Sequence, residues 1–512
     1  EEAETFFGRA GGKQQRAVFT SLYFEAKECP ESHIWSSTAR AAFDNRAPKD
    51  DTLRIIEHVP KGTEFVGEVE LPENDLPTLQ RLVQEVDALG GGRATGAGRV
   101  KLSLSEVTTS ESAPTPRKMG DPAGRLILLL KNRDPLCITA TATPDNLIPS
   151  LAFVPGRALL GAVAAWLIAE GDRTTASLLT SGKVSVSDAL PLPPEASGEL
   201  TELNGVEVLP APLSLQSEKP KGAAGDVPWW AQATAPAQRL DAWSDEAERK
   251  RRDGVKLKRP EDDLFVYRSS PTADWTAFRP ARRVRLRNGR LDPKQKDASL
   301  FAIEQIVEDT YFLAELHGSP DDMTKVAEKL APILEGRRWL RVGRAGAPVE
   351  VALLAWSDAP KAAEIPDNTA RLILTSDLLV LDEHLRWRTS LDDEALRKLA
   401  GVDDITIVKT EHGRRELQDW GMVHGFNGTS RLWRMPAAAI RRGSVFEVSG
   451  AGIAKLAERA AKNEWLGERT HEGFGRFRID VTLPGVTTGE PPASRAPSPA
   501  ADDEKETIAA KT

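Results

Sequence analysis

GERTHEGFGRFRIDVTL, residues Gly467–Leu483, follows an apolar helical pattern over Ala451–Ala461 and reads as a glycine turn that delivers the chain into a final alternating strand. The same order occurs twice more. GGGRATGAGRVKLSL, Gly90–Leu104, follows a helix expected over Leu76–Leu89, and LRVGRAGAPVEVALL, Leu340–Leu354, follows a helical stretch over Met323–Leu334. Upstream of each lies a pair of strand-like segments around a short turn: LRIIEHVPKGTEFVGEVEL (Leu53–Leu71), LFAIEQIVEDTYFLAEL (Leu300–Leu316) and MPAAAIRRGSVFEV (Met435–Val448). Two strands, a helix, a glycine turn and a last strand form the second half of a split βαβ unit. The threefold recurrence is a diverged internal repeat. It predicts an α+β chain of tandem ferredoxin-like, RRM-like modules with inserted loops.

A first half is legible only in the middle module. There Leu126–Leu130 reads as a strand, Asp145–Phe153 as a loop returning to the sheet, and Arg157–Glu170 as a helix opened by Val154-Pro155-Gly156 and closed by Gly171. The first module has no visible front half, which suggests a fragment. The expected boundaries are therefore 1–106 for the C-terminal half of one module, 107–124 for a Pro- and Gly-bearing linker, 125–355 for a module with an insertion, 368–484 for the last module and 485–512 for a disordered tail.

At 512 residues the chain exceeds one ordinary core. Two cysteines, Cys29 and Cys137, allow neither a disulfide framework nor a cysteine zinc site, and a reducing cytoplasm is expected. No apolar run approaches the roughly 20 residues that span a bilayer. A net charge of -8 argues against a polyanionic partner, since phosphates are neutralised by Lys and Arg. Its distribution weakens that objection. RKRRDGVKLKR (Arg249–Arg259) and RRVRLRNGRLDPKQK (Arg282–Lys296) carry seven basic residues each. Either run read alone is equally a solvated surface loop.

Several motifs together resemble the RAMP superfamily of CRISPR-associated proteins. They are VPGRALLGA (Val154–Ala162), VPKGTEF (Val59–Phe65) and the turns Gly96–Gly98 and Gly473–Gly475. From about Arg125 to Pro484, the stretches Asp134–Ala162, LPAPLSLQSEK (Leu209–Lys219), LILTSDLLVLDEHLRW (Leu372–Trp387), HGFNG (His424–Gly428) and AIRRGSVFEV are similar to the double-RAMP subunit called Csx-ten of subtype III-D systems. Residues 1–106 resemble the second half of a backbone RAMP subunit. The resemblance implies an RNA-binding, non-catalytic subunit of a type III effector ribonucleoprotein for antiviral defence. Its partners would be the guide RNA (crRNA), the target RNA through the guide, other backbone RAMP subunits and the large subunit. Such a subunit holds the guide backbone and caps its 5′ repeat tag.

On that reading, glycine turns let the main chain approach phosphates while adjacent cations supply charge. The expected RNA contacts are Arg93, Gly96, Gly98, Arg99 and Lys101 in the first turn, Arg469, His471, Gly473, Gly475 and Arg476 in the last, and Arg157 after the VPG motif. Each glycine has an equally plain explanation as a tight helix-to-strand turn. The resemblance places a guide-wedging thumb over Trp35–Arg54, with Arg40, Phe43 and Arg46, and its middle-module counterpart over Ala281–Asp297, with Arg285, Arg287 and Arg290. His424, Phe426 and Asn427 are read as a glycine-flanked turn able to stack on and hydrogen-bond an unpaired base. No histidine pair has metal spacing, no P-loop or G-x-S-x-G is present, and neither cofactor nor metal is expected. The alternative activity is a metal-independent endoribonuclease processing guide precursors with His424 or His471 as general base.

Overall fold

The computed structural model describes residues 17–24, 36–40, 43–44, 47–48, 54–90, 97–105, 124–142, 146–194, 206–218, 239–270, 273–288, 300–335, 338–344, 346–357, 365, 368–411, 413–427, 432–480 and 486–487. The chain divides into two compact units, Glu1–Ser112 and Ala113–Thr512.

In the first unit the strands nest. Val18–Phe19 pairs with Val69–Glu70, Tyr23–Phe24 with Phe65–Val66, Ser36–Arg40 with Arg54–His58, and Phe43–Asp44 with Ala47–Pro48, all antiparallel. Within the segment expected as a thumb, Trp35–Arg54, the described strand Ser36–Arg40 pairs residue for residue with Arg54–His58. One helix, Leu76–Glu85, closes the unit through Leu79 and Ala17, and is shorter than Leu76–Leu89 because Val86 turns extended.

The second unit holds two repeats of one topology. The first consists of β1 (Arg125–Asn132), α1 (Gly156–Ala169), β2 (Ser185–Val186), β3 (Tyr311–His317), α2 (Pro320–Leu334) and β4 (Ala347–Ser357). The second consists of β5 (Thr369–Leu374), α3 (Asp393–Ala400), β6 (Thr406–Ile407), β7 (Val445–Ser449), α4 (Ile453–Ala461) and β8 (Phe477–Asp480). The sheets run β2-β3-β1-β4 and β6-β7-β5-β8, antiparallel throughout. Each is a ferredoxin-like α+β sandwich.

RLILLLKN on β1 is apolar without alternation because both sheet faces are covered. Leu126, Leu128 and Leu130 pack under α1 and α2, whereas Leu129 clusters with Phe153 from the loop before α1 and with Val208 and Phe265 from the inserted strands. Burying each leucine stabilises by about 1.5–3 kcal/mol. The second repeat buries Leu372, Leu374, Phe446 and Ile479 beneath Leu396, Ile453 and Leu456.

The strand pairs anticipated over Leu300–Leu316 and Met435–Val448 do not pair internally. In each repeat the strand before β3 or β7 belongs to a separate hairpin. The first arm joins Arg282–Asn288 to Leu300–Ile306, and the second joins Trp420–Asn427 to Leu432–Ile440. The chain leaves each arm through a turn with one left-handed residue, Asp309 (φ 60) or Gly443 (φ 82). Within the span expected to be a tail, Val486–Thr487 pairs with Trp275–Thr276. No helix among the described residues is long and apolar enough to cross a membrane.

The glycine repeat has a backbone cause. Gly98 and Gly475 share φ +74, and the carbonyl of each accepts from the N–H of the residue nine positions earlier, Leu89 at 2.8 Å and Leu466 at 2.9 Å. A Cβ on Gly475 would lie 1.7 Å from the Leu466 carbonyl oxygen. Gly475→Ala should therefore cost on the order of 3 kcal/mol or more, seen as a lowered thermal unfolding midpoint. Gly161→Ala, in open space on α1, should instead be neutral or stabilising by about 0.5–1 kcal/mol.

Candidate nucleic-acid interface

The VPG motif and the last glycine turn, far apart in sequence, meet in space. A Cβ on Gly156 would sit 2.7 Å from the Glu472 carbonyl oxygen and 3.0 Å from the Gly473 Cα, and one on Gly473 would sit 3.1 Å from the Gly156 Cα. The Gly156 N–H donates to Asp188 Oδ1 at 2.7 Å. Burial, opposed by that hydrogen bond, pushes the Asp188 carboxyl up to about 6.

The last turn, expected as a phosphate cradle, lies at this junction. Gly473 and Gly475 are buried, and their N–H groups already donate to the carbonyls of Thr470 and Asp377. Arg476 ion-pairs with Glu315 of β3 and lies over the Trp465 ring. Arg469 pairs with Glu472 at 2.5 Å and stacks on Phe474, while His471 lies 3.8 Å from Glu472. Of these contacts, the Arg476–Glu315 pair joins the two repeats. Glu315 also takes Arg125 at 2.5 Å and His317 Nε2 at 3.0 Å. Burial alone would raise its carboxyl, yet Arg476, His317 and Arg125 together hold it well below the usual carboxylate range.

Above the junction opens a cleft of about 460 Å³. Its walls come from Ser150–Phe153 and Arg157 of the first repeat, Asp262 and Asp263 of the insertion, and His424 and Arg442 around the second arm. Most of its charges are matched. Arg441 pairs with Asp262, Arg282 with Asp263 and Glu304, and Arg442 approaches Asp377 at 3.9 Å while lying 4.0 Å over the Phe153 ring. Arg157 is the exception. It touches the Phe474 ring at 6.0 Å, with no hydrogen bond or ion pair among the described residues, and burial pulls its pKa down, only partly offset by Asp188 and Asp377. His424 presents a buried Nδ1 that likewise lacks a hydrogen-bond partner.

His424, Phe426 and Asn427 lie in the strand Trp420–Asn427, not in a turn, with a register shift between Val423 and Gly425. That bulge sorts the faces. Val423, Ala437 and Ala439 turn inward onto Leu379 and Phe474. Phe426 and Trp433, paired across the strands with rings 5.4 Å apart, are 54% and 48% exposed, and Trp420 and Met422 extend the exposed set. On the first arm Arg285 is exposed beside Val284 and Leu286.

The remaining expected residues divide by position. Arg99 bridges to Ala88 and, like Lys101, is exposed. Arg40 and Phe43 stand on the first unit's ladder and Arg287 on the first arm, where their backbones are described; Arg46, Arg93, Gly96 and Arg290 lie outside the described residues. Sequence reasoning missed Phe153, Asp188, Asp377, Arg442 and Trp433. Arg442 lay in a quoted motif, AIRRGSVFEV, but only the fold brings it to Phe153.

No protein-family model matches the chain, and no curated protein matches it. Among solved structures, the chain is similar at 12% identity and TM-score 0.35 to the type III-B Cmr-beta bound to cognate target RNA and AMPPnP, over 63% of this chain and 86% of that one. It is similar at 12% identity and TM-score 0.31 to the Csm3-Csm4 subcomplex of the type III-A CRISPR-Cas interference complex, over 70% and 100%. A Cas6-related protein of Pyrococcus furiosus matches over the same shares at 12% identity and TM-score 0.27. The strand order described above establishes the fold class independently.

The raised Asp188 carboxyl has a definite sign. The folded state binds this proton more tightly than the unfolded state, so its contribution falls as pH rises from about 4 to about 6 and is flat above. Asp188→Asn should remove that slope, giving a smaller difference in unfolding midpoint between pH 5 and pH 7 than the unaltered protein shows. Glu315→Ala, which strands Arg125 and Arg476, should destabilise by about 3–5 kcal/mol, measured by denaturant unfolding.

Proposed function

We propose that this chain is a non-catalytic RNA-binding subunit of a type III CRISPR effector ribonucleoprotein, of the subtype III-D kind. Residues 1–106 would be the second half of a backbone RAMP module fused to a Csx-ten-like double module. It holds the guide RNA by its backbone and caps the 5′ tag, with the target RNA reached through the guide and other RAMP subunits and the large subunit as protein partners.

One observation carries this reading: Arg157 is a half-buried guanidinium with no hydrogen bond or ion pair among the described residues, its burial only partly offset by Asp188 and Asp377, and it opens into a cleft beside His424. A cation desolvated without a partner is costly, and a phosphate arriving there supplies the missing charge. Phe426 and Trp433 on the neighbouring arm offer sequence-tolerant stacking worth about 1–3 kcal/mol per base. Arg99, Lys101 and Arg285 fit further phosphate contacts. Backbone holding suits a guide whose spacer varies.

Fluorescence anisotropy with single-stranded RNA, with and without a 5′ repeat tag, tests the proposal. Affinity should fall linearly with log salt and ignore spacer sequence. Arg157→Ala should weaken binding roughly ten- to a hundredfold, about 1.4–2.8 kcal/mol, with the unfolding midpoint retained. Arg476→Ala should chiefly lower stability. Unchanged affinity in a folded Arg157→Ala variant contradicts the assignment, and metal-independent RNA cleavage abolished by His424→Ala would establish the endoribonuclease instead.

A further inference from the structure

A second cavity, of about 400 Å³, lies at the corner between β3 and α2, with the end of α4 over it. Arg125, Lys183, His317, Ser319, Lys462 and Asn463 form most of its wall, and no carboxylate among the described residues lines it. Lys183 and Lys462, one from each repeat, are exposed and have no ion-pair partner among the described residues. Behind the wall, Glu315 is shared by Arg125, Arg476 and His317, so one carboxylate offsets two guanidinium groups. The surroundings therefore keep an excess of positive charge.

Two polar atoms of the lining residues are also unmet. Arg125 Nε and His317 Nδ1 are buried without a hydrogen-bond partner. His317 is 8% exposed and faces the ionised Glu315 through Nε2, so Nε2 carries the proton and Nδ1 holds an unused lone pair. The unsatisfied Arg125 Nε–H calls for an acceptor oxygen and the His317 Nδ1 lone pair for the O–H of a water or of a protonated phosphate.

We propose that this cavity binds a phosphomonoester, with Arg125, Lys183 and Lys462 as its cationic contacts. The absence of a carboxylate disfavours a metal ion or a cationic ligand. Three cations around a space the size of a nucleotide complement a group carrying about 1.5–2 negative charges at neutral pH better than a diester carrying one. The group comes either from the end of an RNA or from a free mononucleotide or inorganic phosphate. The site is separate from the Arg157 cleft and stands whether or not that cleft holds a guide.

The test uses the full chain and its Lys183→Ala/Lys462→Ala double variant, in which both altered positions are exposed and folding is checked by the unfolding midpoint. Calorimetric titration with inorganic phosphate and with a nucleoside 5′-monophosphate should show binding weakened at least tenfold in the variant. In parallel, one RNA sequence is compared with a 5′-phosphate and a 5′-hydroxyl. A tenfold preference for the phosphorylated RNA, lost in the variant, assigns the site to an RNA end, whereas lysine-dependent phosphate binding with no such preference assigns it to a free phosphate or nucleotide. Absence of phosphate binding by the unaltered protein, or equal binding by the variant, overturns the proposal. Affinity for the 5′-hydroxyl RNA reports separately on the guide-binding reading.

Discussion

Gly156 at the start of α1 and Gly473 before β8 pack main chain against main chain, and a Cβ at either would be forced into the other. The rest of the second unit is arranged around this contact. It brings the front of one ferredoxin-like repeat to the back of the next, and it seats the α1 N-terminus on Asp188. It also places Arg476 against the buried Glu315, its one ion-pair partner among the described residues. Breaking the contact would leave Glu315, Arg476 and Arg125 mismatched in a poorly solvated space, where an unpaired charge costs several kcal/mol.

The cleft follows from the same geometry. The walls above the junction combine ion pairs such as Arg441–Asp262 with apolar side chains such as Phe153 and Val423. Arg282, Arg441 and Arg442 are engaged by carboxylates or by a ring, whereas Arg157 has the Phe474 ring and no ion pair among the described residues. Both arms leave the sheets at the same topological point, immediately before the third strand of each repeat. The second presents aromatics outward while its inner face packs on Phe474, the residue between the junction glycines.

Much of the fold was legible in the sequence because it rests on local rules. The apolar run of β1, the proline and glycine around α1, and the recurring glycine turn each correspond to observed elements. The arms were not legible as separate hairpins, since LFAIEQIVEDTYFLAEL reads as one strand pair and only long-range pairing sends its halves to different sheets. The surroundings of the last glycine turn were not legible for a related reason. Glycine beside arginine has the same composition whether the nearest oxygen belongs to a phosphate or to Glu315. Arg157 could be singled out from its motif, but its lack of a partner depends on where Asp188, Asp377 and Phe474 come to lie.

Photocrosslinking of 4-thiouridine-containing guide RNA to the intact chain, followed by peptide mapping, addresses the central claim most directly. The account predicts salt-sensitive crosslinks concentrated on the cleft and second arm, at peptides containing Phe153, Met422 and Phe426. Crosslinks absent from those peptides, with RNA held instead only through the Arg249–Arg259 run, would contradict it.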